Sequence, residues 1–183
     1  MFTFSRRIAL APVVALVLAV GLVPAKTHAA VELGLTPSHV FSLWTNVNGA
    51  LVAIAEIIGA KEGWAEDIRA MAPEPVTGKK PADVLEQARI FREKLDKLRR
   101  RSSLPATEKF GTGDGAITPS VVFLNSGHIL DATVGWLIEN SGREQLVSAF
   151  YTRHDFSGKT PSDPFALIVL ANRRIDNILR HAN

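Results

Sequence analysis

The chain has no cysteine. That excludes disulfides, thiolate metal sites, the Cys-x-x-Cys-His attachment of a c-type haem, and a lipid anchor on a cysteine. Histidine is sparse. Beyond residue 30 it stands at His39, His128, His154 and His181, with no His-x-x-x-His pair at metal-ligand spacing and no Glu-x-x-His motif of a di-iron helical protein. Methionine is almost absent: after Met1 there is only Met71, which reads as core filler rather than as an axial haem ligand. No cofactor or metal is expected. No segment alternates apolar and polar residues, so no strand is expected either.

The excess of positive charge is confined to one end. Arg6 and Arg7 precede an apolar run from Ile8 to Val23, and Thr27-His28-Ala29 then offers small residues to a signal peptidase. Residues 1–29 read as a cleaved secretory signal peptide. The run is shorter than the roughly 20 residues a membrane anchor needs, and Pro12 interrupts it. Ala9 stands where a twin-arginine signal carries its Phe, so the general secretory route is expected, with a periplasmic or secreted product. Residues 1–29 hold Arg6, Arg7 and Lys26 and no acid. Removing these three from 21 basic residues leaves 18 against 18 acidic ones. Without a net positive charge, a nucleic-acid partner has no electrostatic support. Residues 30–183 are enough for one domain with a core of its own.

What the sequence does have is a repeat. Six similar letters occur four times: Leu35-Thr36-Pro37-Ser38-His39-Val40, Lys79-Lys80-Pro81-Ala82-Asp83-Val84, Ile117-Thr118-Pro119-Ser120-Val121-Val122 and Lys159-Thr160-Pro161-Ser162-Asp163-Pro164. Each reads as a helix start, with Pro at the first helical position, where its missing N–H has no partner to lose. Thr36, Thr118 and Thr160 are expected to accept from first-turn N–H groups; Lys80 cannot. Pro37 to Pro119 is a step of 82 and Pro81 to Pro161 a step of 80, and matches continue along the helix bodies (Val40-Phe41 with Val122-Phe123, Leu95-Asp96 with Ile175-Asp176). The sequence predicts an all-α protein, a four-helix bundle built from a duplicated two-helix unit over 36–101 and 118–181, with a flexible linker at 102–117.

Apolar spacing agrees. Val40, Trp44, Val47, Leu51, Ile54 and Ile58 alternate steps of four and three, as do Val84, Ala88, Phe91, Leu95 and Leu98. Short accessory helices are expected around Trp64, Ile68 and Met71, ended by Pro73, and around Leu146, Val147 and Phe150.

Charge is missing from two of the four long helices. Lys79–Arg101 carries nine basic and four acidic residues, while Pro37–Ile58 has only Glu56 and Pro119–Glu139 only Asp131 and Glu139. Helices with so little charge are buried on most of their surface. Three accounts are open. The first and third helices are central and shielded; or they meet a second copy or a protein partner; or they wall a small-molecule pocket, with Trp44, Asn46, Asn48, Asn125, His128 and Trp136 as candidate contacts. Arg153-His154-Asp155 reads as a solvated turn. Gly111–Gly115 reads as linker rather than phosphate loop, because no strand precedes it and no Lys-Ser/Thr follows. Arg99-Arg100-Arg101 reads as a solvated helix end, so membrane contact is at most peripheral. The expected function is that of an exported, non-catalytic binding or protein-interaction module. The alternatives are a sensor-like domain with a ligand between the first and third helices, and an enzyme with a site assembled from scattered residues.

Overall fold

A computed structural model describes residues 32–59, 63–112, 115–142 and 144–182. The expected signal segment, 1–29, lies outside them. The described residues are all-helical, with no strand: α1 (Pro37–Gly59), α2 (Ala65–Ala70), α3 (Pro81–Arg101), α4 (Pro119–Ser141) and α5 (Ser162–His181), with a 3₁₀ helix, Glu144–Tyr151, between the last two.

The four long helices run parallel. Their starts gather around one small gap, lined by Pro37, Pro81, Pro119 and Pro161 and, one turn in, by Val40, Val84, Val122 and Pro164. At the far end Arg101 Nη1 of α3 reaches the α5 carbonyl of Leu179 and that of Ala182 just beyond it, at 2.7 and 2.9 Å. α1 lies between α4 and α5, and so does α3, so α1 and α3 face each other across a diagonal. They meet at the centre through Trp44 and Phe91, ring edge to ring face at 5.3 Å. Around that contact Leu51, Ile54, Leu95, Ile129, Ile168 and Ile175 are fully buried. Parallel helices need long returns. α1, with 23 residues, is about 35 Å long at 1.5 Å per residue. The chain must cover that length again before each new start.

The repeated letters build these starts, and the caps differ from expectation. Thr118 Oγ1 accepts from the Val121 N–H as predicted, though weakly at 3.4 Å. At the other three starts the acceptor is the residue three positions on. Asp83 Oδ2 takes the Lys80 N–H and Asp163 Oδ2 the Thr160 N–H, each at 2.8 Å, and His39 Nδ1 takes the Thr36 N–H at 3.0 Å. The side chain reaching back thus satisfies the cap residue's own N–H, the half of a capping box that sequence reading overlooked. The serine after each proline has a separate task. Ser38 Oγ accepts from Lys159 N, Ser162 Oγ from Lys79 N and Ser120 Oγ from Leu33 N. Each helix start is thereby tied to the chain leading into a neighbour. α3 carries Ala82 at this place and cannot make the fourth tie.

Asp163 is held below the usual carboxylate range, first by the Thr160 backbone N–H and further by the Thr160 hydroxyl and the Lys159 ammonium, against the opposing effect of its burial. A carboxyl depressed in the folded state stabilises fully above its unfolded value. The contribution is lost as pH falls through the folded one. Acid titration of stability should therefore steepen below about pH 4, and Asp163→Asn should flatten that limb while lowering stability at neutral pH.

The charge-poor helices are covered by the chain itself. α1 exposes only Gly49 and Glu56, and α4 only Asp131, Glu139 and Asn140. Both are long and apolar enough to cross a membrane, but more than half of each apolar window is buried inside the protein. The 102–117 segment is anchored where described. Arg99 Nε donates to the Pro105 carbonyl at 2.8 Å, Asp96 Oδ1 accepts from Thr107 N at 2.7 Å, and Phe110 stacks on His128.

Candidate functional site: a cleft between α1 and α4

A cleft of about 430 Å³ opens between the first halves of α1 and α4. Its α1 wall is the stripe Ser38, His39, Ser42, Leu43 and Asn46, the three-and-four spacing that puts residues on one helical face, with Leu35 just before the helix start. Its α4 wall is Phe123, Gly127, Leu130 and Asp131. The roof is the chain from Tyr151 to Phe156.

The roof is pinned to both walls. On α4, the Tyr151 hydroxyl donates to Asp131 Oδ1 at 2.7 Å. Burial, and then that carboxylate, raise the Tyr151 pKa, so the phenol stays a donor. On α1, Asn46 Nδ2 donates to the Thr152 carbonyl at 2.8 Å, and Ser42 Oγ accepts from the His154 N–H at 2.9 Å. Because the Asn46 amide nitrogen faces a carbonyl, its Oδ1 faces His154 Nε2, at 2.9 Å. That fixes the proton of His154 on Nε2. Phe156 closes the far end, edge-on to Phe41 at 4.8 Å. The cleft is therefore held open by contacts that do not depend on a ligand.

Gly127 marks the same place from the other side. It sits inside α4 without a positive φ, and a Cβ built on it would meet nothing within 4 Å. A helix-interior glycine costs about 1 kcal/mol relative to alanine. No close packing demands it here, and the room it leaves belongs to the cleft. Among the described residues three large apolar side chains are exposed, and two of them, Tyr151 and Phe156, line the cleft.

Of the six candidate contacts named from sequence, Asn46 alone lines the cleft. Trp44 is in the core, its indole N–H donating to Ser126 Oγ at 2.9 Å. Asn48 is a buried strut whose Nδ2 donates to the carbonyls of Trp44 and Leu167 while its Oδ1 accepts from Arg174. Asn125 donates back to Val121 within its helix. His128 lies outside the cleft lining, 3.7 Å from Glu108. Trp136 is buried with no acceptor for its N–H among the described residues. The two tryptophans should therefore respond differently. Trp44→Phe strands a buried hydroxyl and should cost about 1–3 kcal/mol in a urea melt. Trp136→Phe removes an unpaired donor, so most of the packing loss should be offset.

Sequence reading missed His39, Gly127 and the Tyr151–Phe156 roof. Arg153-His154-Asp155 was legible as three ionisable groups, but the 108 residues between Asn46 and His154 hid their meeting. His39 did carry a signal: it holds the place that Asp83 and Asp163 hold in two other copies. No carboxylate oxygen contacts His39 or His154 among the described residues, and no group of three His, Asp or Glu is placed to hold a metal ion among them. Set against known proteins, the chain matches no protein-family model, no curated protein and no solved structure.

Proposed function

We propose that this chain is an exported, non-catalytic binding protein whose α1–α4 cleft holds a small organic molecule. The observation that carries this reading is a cleft of about 430 Å³, with an apolar floor and converging polar groups, braced by the protein's own hydrogen bonds. Clefts of roughly 300–1,000 Å³ with that mixture are what small-molecule sites look like. The reading keeps the expected third account, a ligand held between the two charge-poor helices, and moves its contacts from the tryptophans to the helix starts.

The test uses Gly127. Gly127→Ala should stabilise by about 1 kcal/mol, from helix propensity in open space. Gly127→Leu should fill the cleft and still fold. A fragment mixture screened by ligand-observed NMR should give binders on the wild type that Gly127→Leu loses. Binders that survive in Gly127→Leu, or a wild type that binds nothing, would defeat the cleft reading.

The same proposal includes a duplicated two-helix unit in a four-helix bundle, and paired contacts support it. Gly78 and Gly158 both take a positive φ, 74° and 67°. Lys79 Nζ lies 4.5 Å over the Phe165 ring, and Lys159 Nζ lies 4.4 Å over the Phe41 ring. Each of these lysines also donates its backbone N–H to a neighbour's second-position serine. Export would be checked by the mass of protein recovered from a periplasmic fraction, expected to begin at Ala30 or Val31.

A further inference from the structure

The geometry points to an anionic anchor at the mouth of the cleft: a carboxylate on an apolar body, held between the Nε2–H of His39 and the guanidinium of Arg153. This rests on the ligand-binding reading above and adds the chemical class of the ligand.

The argument begins with a tautomer. His39 Nδ1 is 3.0 Å from the Thr36 backbone N–H, which can only donate. Nδ1 is therefore an acceptor, and the ring proton of neutral His39 is on Nε2. The repeat supports this independently, since two other starts put a carboxylate oxygen, an obligate acceptor, in the same role. Nε2–H then faces Arg153 Nη2 at 3.5 Å. Both groups are donors, and neither can satisfy the other. Two donors converging at the edge of an apolar cavity suit one acceptor placed against both, and a carboxylate has the lone pairs to serve them.

The surrounding charges allow it. Asp155 Oδ1 is 3.8 Å from Arg153 Nε, but both side chains are largely exposed, at 95% and 76%. Such a pair is weak and yields readily. Asp131, the other acid of the cleft, is engaged by Tyr151. Behind the anchor the lining is Leu35, Leu43, Phe123 and Leu130, which offers an apolar body no charge partner. A copy of the repeat with Asp at position 39 would cap α1 equally well and repel an anion; histidine there caps the helix and also presents a donor.

The probes are octanoate and phenylacetate, each paired with its alcohol, 1-octanol and 2-phenylethanol, titrated by calorimetry and by amide chemical shifts. Wild type should bind the acids about tenfold or more tighter than the alcohols, the scale of a charge-assisted pair. His39→Asp, which preserves the cap, and Arg153→Gln, at an exposed side chain, should each remove that preference, weakening the acids more than the alcohols. Gly127→Leu should remove binding of both. Equal binding of acid and alcohol, an acid preference that survives both substitutions, or no binding of either acid overturns the anchor. If acid and alcohol bind equally and Gly127→Leu abolishes both, the anchor fails and the cleft reading stands.

Discussion

Arg174→Met should lower stability by about 3–5 kcal/mol, a large share of what a domain of this size has. The guanidinium of Arg174 is buried in α5 and pairs with no carboxylate among the described residues. Its Nε donates to the Ile68 carbonyl at 3.2 Å. Nη1 donates to the carbonyl and the side-chain oxygen of Asn48 at 3.2 and 3.1 Å, and Nη2 donates to the Met71 carbonyl at 2.9 Å. Burial, and then the neighbouring Arg173, pull its pKa below the ordinary arginine value. One side chain thus ties α5 to α1 and to the returning chain after α2. Methionine keeps the bulk but strands several carbonyls in the interior. A guanidinium chloride melt should show the loss, and limited proteolysis should cut first around 68–73. Arg180→Met, at an exposed position on the same helix, should change little. A stable Arg174→Met variant would mean that water reaches these carbonyls and that the strut carries no weight.

The second large effect concerns the two halves. Expressed separately, residues 32–106 and 107–182 should each fail to fold, and mixing them should restore helix and cooperative melting. α1 and α3 belong to one half but pack against α4 and α5 of the other, touching each other chiefly where Trp44 meets Phe91. Neither half can bury its apolar faces alone, and most of the stability of such helices comes from packing an apolar face rather than from propensity. Circular dichroism of each fragment and of the equimolar mixture is the measurement. A half that melts cooperatively by itself would contradict the packing described here. The same arrangement predicts slow folding for a helical protein, because the packing of α1 on α4 and α5, and of α3 on α5, joins residues about 80 or more apart in sequence.

How much of this was written plainly in the sequence depends on distance along the chain. Local features were legible. Pro37, Pro81 and Pro119 begin helices where the letters say they should, and Trp64, Ile68 and Met71 mark α2. The absence of charge on α1 and α4 correctly signals burial, since periodicity and charge are properties of single helices. Helix direction is not. A three-and-four stripe looks the same whether the neighbour runs up or down, so nothing in Val40–Ile58 announces a parallel partner. The cleft was hidden for the same reason. Asn46 was singled out as a neutral polar residue on a charge-poor helix, but what gives it a role is a roof more than a hundred residues away. The 102–117 stretch has the glycine and polar content of a free linker, yet Asp96 and Arg99 supply the hydrogen bonds its described backbone needs.

Four parallel helices also have an electrical consequence. In an antiparallel arrangement the peptide dipoles cancel in pairs. Here they add, to about two positive charges at one end and two negative at the other, taking half a charge per helix terminus. The side chains answer that field. Asp83 and Asp163 stand in first turns, whereas Arg99, Arg100, Arg101, Arg180 and His181 stand in last turns. Arg101 places its guanidinium directly on the carbonyls that close α5. Of the triple-arginine run, Arg101 is thus a counter-charge to the carbonyl end of α5, whereas Arg99, expected in a solvated helix end, is buried and holds the carbonyls of Pro105 and Ala132. A molecule with no net charge over residues 30–183 still carries a polarised interior, and His39 and Arg153 sit toward its positive pole.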